Sequence, residues 1–298
     1  MNQPTRSPFA PLVLAVACVS SAAVLIRFAQ APPLAVSFYR VALASALLLP
    51  AAAGAARRSW PALPGRLTSA LLAAGVALGV HFGTWIASLS YTTVAASVLL
   101  VNTAPVFTVL LSRVLLKEPA PPPVLAAIAL ALGGASLIAL GDWGGGAHSL
   151  TGAGLAVAGA ISLAIYHIVG RRLRAALPLR AYVLAVWATA AVVLGLTAAA
   201  AGVPLLGYEG RAWAAFVALA IVPTIGGHGL VNYSLRLFPA PTVGLFLLGE
   251  PIGASLLALA LFGEIPGPWT LAGGAVILAA LAAIVVWGTE RPPASPED

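Results

Sequence analysis

The chain has 298 residues, of which 61% are apolar and only 8% charged, and its formal net charge is +7. A soluble domain carries about 25% charged residues, so this composition excludes a soluble globular protein and describes a chain solvated by lipid. The basic excess does not mark a nucleic-acid partner, because Lys and Arg gather between the apolar stretches, where they set orientation in a bilayer.

A helix needs roughly 20 apolar residues to cross about 30 Å of hydrocarbon at about 1.5 Å per residue. Ten segments meet that length: 9–29, 33–53, 67–89, 92–116, 122–140, 150–169, 180–201, 213–235, 241–262 and 268–287. The first exceeds the apolar core of a signal peptide, shows no convincing cleavage site and is followed at once by the second, so it is expected to stay. It holds Cys18, the sole cysteine, which rules out an internal disulfide. Twelve of the 15 Lys and Arg residues fall at one set of alternate span ends: Arg6; Arg57, Arg58 and Arg66; Arg113 and Lys117; Arg171, Arg172, Arg174 and Arg180; Arg236; and Arg291. By the positive-inside rule these ends and both termini face the cytoplasm. Tryptophans 60, 143, 213, 269 and 287 stand at predicted span ends, where interfacial aromatics collect.

The stretch from Leu89 to Glu118 recurs 146 residues later, so that Pro105 pairs with Pro251 and Glu118 with Glu264. The chain is therefore read as two copies of one unit, 1–146 and 147–289, followed by a charged, proline-rich cytoplasmic tail, 290–298, expected to be disordered. The glycine-rich segment 141–149 marks the boundary, and 119–123 is a proline-rich connector. Five spans per copy is an odd number, so the second copy crosses with inverted topology. The fold class expected is an all-α integral membrane protein, ten transmembrane helices in two inverted five-helix repeats around a central cavity. Such duplicated units, with helix breakers at matching depths, place a substrate site between the copies near the midplane.

The run SYTTVAASVLLVNTAPVFTVLLSRVLLKE, its partner FPAPTVGLFLLGEPIGASLLALALFGEIP and the ten-span duplication resemble the EamA-type members of the drug/metabolite transporter superfamily. The resemblance covers nearly the whole chain and is most specific in the fourth and ninth spans. In general layout the chain is also similar to the bacterial aromatic amino acid exporters. The resemblance implies transport, usually efflux, of small metabolites such as amino acids across a bacterial inner membrane.

A polar residue inside a span is costly unless it meets a partner or a water-filled cavity. Glu250 lies mid-span beside Pro251, and its counterpart in the first copy is Ala104, so the repeat's packing does not demand it. Three readings stay open: proton exchange, a structural carboxylate on backbone freed by the proline, or contact with a substrate ammonium. Arg40 and His81 each fall about seven residues, roughly 10 Å, from the outer end of a span, and together suit a positive wall for a carboxylate. Trp85 stands four residues from His81, on the same helical face. Asn102 precedes Pro105, which frees the carbonyl of Val101. Arg40, His81, Trp85, Asn102 and Glu250 are thus the candidate substrate-binding residues.

His228, Asn232 and Tyr91 are candidates for a gate or cavity lining, with His228 near the cytoplasmic end as an inner gate. Pro105 and Pro251 are the expected helix breaks. Each of these polar groups also has a purely structural reading, and for Tyr39, Tyr166, His167, Trp187 and Tyr233 packing is the favoured one. Gly75, Gly79 and Gly83 form a stripe for close helix approach on the third span.

The four histidines lack ligand spacing, and no phosphate loop or activated nucleophile is present, so no metal, cofactor or enzymatic activity is implied. The partners expected are a small-molecule substrate and the lipid bilayer, with no nucleic acid, for a chain working as a monomer. Export of amino acids or related amphipathic compounds by alternating access is the reading preferred. An exchanger of phosphorylated metabolites or nucleotide sugars needs several cavity cations, and only Arg40 lies at that depth; a membrane-embedded enzyme or scaffold is the third reading.

Overall fold

The computed structural model describes residues 9–60, 63–91, 97, 100–117, 121–141, 150–263 and 268–287. Glu118, Glu264, the 142–149 connector with His148 and Trp143, the first residues of the 119–123 connector, and the tail lie outside the described residues, as do Arg6 and Arg291. Every regular element among the described residues is helical.

The first span is split by a turn at Ser20 and Ser21 into α1 (Ala10–Val19) and α2 (Ala22–Ala29). The second and third are α3 (Pro33–Ser59) and α4 (Gly65–Ser88), and α5 (Ala104–Leu111) carries the fourth into a π-helical turn over Ser112–Leu116. The fifth to seventh are α6 (Pro122–Gly141), α7 (Leu150–Ala176) and α8 (Leu179–Ala200). The eighth runs from α9 (Gly210–Leu219) through a π-helical segment, Ala220–His228, into α10 (Gly229–Ser234). The ninth is split into α11 (Ala240–Leu247) and α12 (Glu250–Phe262), and the tenth is α13 (Pro268–Trp287). Seven of these stretches are helices long and apolar enough to cross a membrane, and two further apolar helices fall at 122–134 and 271–280.

The 146-residue period of the sequence is also the period of the fold. Residues 122–141 and 268–287 are both helices, and Ser88 and Ser234 each end one. Pro32 and Pro178 cap α3 and α8 with nearly the same backbone angles, φ −55°, ψ 139° and φ −57°, ψ 139°. The packing is reciprocal: the third span lies on the sixth and seventh as the eighth lies on the first and second, while the second packs on the seventh, the fourth on the ninth and the fifth on the tenth. Such a pattern follows when two copies of one unit face each other about a pseudo-two-fold axis.

Lipid tails are as apolar as leucine, so burial alone does not drive these helices together; close van der Waals approach does, through small residues. A Cβ added at Gly75 would sit 2.4 Å from the Cβ of Thr189, and one at Gly227 would sit 2.6 Å from Cγ1 of Val19. At Gly134 it would lie 2.7 Å from the carbonyl oxygen of Gly273. The glycine stripe of the third span is therefore seated on the seventh. Large aliphatic side chains face outward, with Leu196 and Leu261 exposed, whereas Trp187, Tyr182 and Phe216 are buried between helices. A chain with its aliphatic surface outermost is solvated by lipid. Trp60 and Trp269 are exposed at helix ends.

Candidate functional site

A cavity open at its mouth lies between the copies. The first copy contributes Val19, Ala22, Arg40, His81, Trp85, Val101, Asn102, Ala104 and Thr108; the second contributes Leu163, His167, His228, Gly244, Leu247 and Glu250. All five candidate substrate-binding residues and His228 thus line a single space.

Two broken helices reach it. In the fourth span the chain turns at Asn102 and Thr103 before α5, and in the ninth it turns at Leu248 and Gly249 before α12, positions again 146 apart. Pro105 and Pro251 are each the second residue of the helix that resumes, where a missing N–H costs no helical bond. The break therefore falls just before each proline rather than at it. Short turns re-use part of the freed backbone, with the Thr103 N–H on the Leu100 carbonyl at 3.2 Å and the Gly249 N–H on that of Phe246 at 3.0 Å. Glu250 opens α12, where the helix dipole favours a carboxylate. The Ser20 hydroxyl, at the break in the first span, donates to the Glu250 carbonyl at 3.3 Å and to that of Val16 at 2.7 Å.

Arg40 is almost completely buried. Its Nε donates to Thr224 Oγ1 at 3.3 Å, and its guanidinium carbon stands 3.8 Å from the centre of the Phe82 ring. Thr224 is available because Pro223 interrupts the ordinary ladder within the π-helical segment, where Thr224 Oγ1 donates five residues back to Leu219 at 2.7 Å. Arg40 Nη1 is buried without a partner in the protein. Among the described residues no ion pair joins Arg40 to Glu250, although their charges interact across the shared cavity. The indole Nε1 of Trp85 is likewise buried and unpartnered.

His81 is held by a backbone carbonyl of the other copy. Its Nδ1 lies 3.1 Å from the carbonyl oxygen of Gly159. A carbonyl only accepts, so Nδ1 carries a proton, and in the neutral form of the ring Nε2 presents a lone pair. The helical-face argument for Trp85 is realised: the two rings are nearly parallel, 11° apart, with centres 5.8 Å apart.

His228 lines the same cavity, with its ring centre 6.5 Å from that of His81, at the last residue of the π-helical segment. Asn232 lies behind the wall, fully buried, donating to the His228 carbonyl at 2.7 Å and to the Tyr166 hydroxyl. Tyr91 is 51% exposed and lies outside the cavity lining. Tyr39 packs with Tyr208, Trp213 and Phe216 near the loop that precedes α9, and its hydroxyl donates to the Leu205 carbonyl. Trp187 is buried in the core and Tyr233 is exposed. His167, for which packing was favoured, lines the cavity with both ring nitrogens lacking a partner in the protein. Thr224 escaped the sequence reading; its only signal is a Pro-Thr pair inside an apolar span.

Residues 10–140 and 150–286 each match the model of the EamA-like transporter family. A curated protein of Streptantibioticus cattleyicolor named "Probable terminal-alkyne amino-acid exporter" is 33% identical over 189 residues, which span 61% of this chain and 60% of that protein. A solved crystal structure has the same fold, with a TM-score of 0.77 over 94% of this chain and 96% of that one at 20% identity. With a family match in each half taking in nearly all of the described spans, the chain belongs to the EamA-like transporter family, as a multi-pass membrane transporter and not an enzyme.

Proposed function

We propose that this protein exports amino acids or related zwitterionic compounds across a bacterial inner membrane by alternating access, with both termini cytoplasmic. On this reading residues 1–146 and 147–289 are the two inverted units, 290–298 is a cytoplasmic tail, and a single chain suffices. The observation that carries it is the pairing of an unpartnered guanidinium nitrogen on Arg40 with the Glu250 carboxylate in one cavity built by both copies, without an ion pair between them. A buried charged group left without its partner is costly, and a zwitterion satisfies both at once. Its carboxylate would meet Arg40 and the Trp85 N–H, and its ammonium Glu250 with Asn102 close by. The name of the Streptantibioticus cattleyicolor relative supports an amino-acid cargo. A phosphorylated cargo suits the cavity poorly, because Arg40 is its one permanent cation among the lining residues and a phosphate monoester carries close to two negative charges.

Counterflow tests the proposal. Proteoliposomes loaded with unlabelled amino acids are expected to accumulate the labelled compound from outside, over aromatic and aliphatic members of a panel. Accumulation only with phosphorylated metabolites inside would contradict it. A pH gradient applied to wild type and Glu250→Gln separates the roles of that carboxylate: acceleration that needs Glu250 assigns proton coupling to it, and indifference in both proteins leaves a facilitator.

A further inference from the structure

The cavity wall that holds the His81 ring carries an acceptor with a fixed orientation. The Gly159 carbonyl on α7 holds the proton of His81 on Nδ1 at 3.1 Å, and the near-parallel Trp85 indole fixes the plane of the ring. The helices approach closely enough for this because residue 159 has no side chain: a Cβ there would lie 3.2 Å from Thr84 Oγ1 and 3.3 Å from the Trp85 Cβ. Nε2 is the ring nitrogen left for the cavity, and in the neutral ring it accepts.

Resting on the amino-acid reading above, we propose that His81 Nε2 accepts an N–H bond from the substrate ammonium while Glu250 supplies the opposing charge, so that the cavity selects ammonium groups that carry hydrogens over quaternary ones. Charge alone does not make this distinction, because a trimethylammonium group is as positive as a primary one. The class taken is therefore amino acids whose ammonium keeps at least one hydrogen; betaines of the same side chain are rejected. Electrostatic attraction to Glu250 survives methylation, whereas the directional bond to His81 is lost only with the last hydrogen.

The test uses a methylation series bound to the purified protein in lipid nanodiscs: L-leucine and L-phenylalanine with their N-methyl, N,N-dimethyl and N,N,N-trimethyl derivatives, measured by calorimetry. Affinity is expected to change modestly through dimethylation and then to drop by about tenfold or more at the third methyl, the scale of one hydrogen bond to a charged donor. In His81→Phe the final step disappears. A smooth decline with size in wild type, or a step undiminished in His81→Phe, overturns the proposal while leaving amino-acid transport in place. Binding of neither parent amino acid overturns the transport reading, and this inference falls with it. The wild-type series is decisive by itself if His81→Phe does not fold.

Discussion

Arg40→Ala is expected to abolish transport while leaving a folded protein. Removing one partner of a buried, hydrogen-bonded charge pair costs about 2–5 kcal/mol of binding, or roughly thirty-fold to several thousand-fold in affinity, and the pair here is the substrate carboxylate with the Arg40 guanidinium. The fold tolerates the loss. Thr224 keeps its bond to Leu219, and Nη1 had no protein partner to abandon. Arg40→Lys is expected to fall between the two, because an ammonium keeps the charge but loses both the planar fork and the face-on contact with Phe82. Counterflow rates normalised to monodisperse protein on size exclusion check this. Normal transport by Arg40→Ala would remove the carboxylate subsite from the account.

Gly253→Ala is expected to destabilise the protein by about 1–3 kcal/mol, the range for forcing extra volume into a packed interior, and to slow transport as well. The new Cβ would lie 2.1 Å from Ser20 Oγ and 2.6 Å from Ser20 Cβ, so the first and ninth spans must part where both are broken. Their separation moves the start of α12, which carries Glu250, and loosens the Ser20 bond to the Glu250 carbonyl. Ser20→Gly removes both clashing atoms, and the double variant is expected to regain more than half of the lost stability. Thermal unfolding in detergent of both single variants and the double variant reads the coupling directly. Additive losses would show that the two helices do not meet as described.

The spans were legible because lipid imposes one rule on every segment, length and apolarity, and because the 146-residue period shows itself in residues such as Pro105 and Pro251. Helix ends were less so: α3 reaches Ser59 and α7 reaches Ala176, beyond the apolar stretches, because the helices continue into their Arg-rich ends. The cavity groups stood out by the same rule in reverse, since Arg40, His81, Asn102 and Glu250 are costly where they are. Their partners did not. The acceptor that sets the proton on His81 is 78 residues away, and the hydroxyl that holds Arg40 is 184 away. His228 ends a π-helical segment that hydropathy does not register, and Asn232 is turned into Tyr166 by a contact across 66 residues.

On the proposed function, the cavity between the copies is the transport site and opens to each side in turn. Ala104, the first-copy counterpart of Glu250, lines that cavity, and Cys18 is the sole native cysteine. The variant Cys18→Ala, Ala104→Cys in oriented proteoliposomes would be exposed to a membrane-impermeant maleimide from each face, with and without a transported amino acid. Labelling from both faces, slowed by the amino acid, is the predicted result. Labelling from one face only, or at a rate the amino acid does not change, would contradict it.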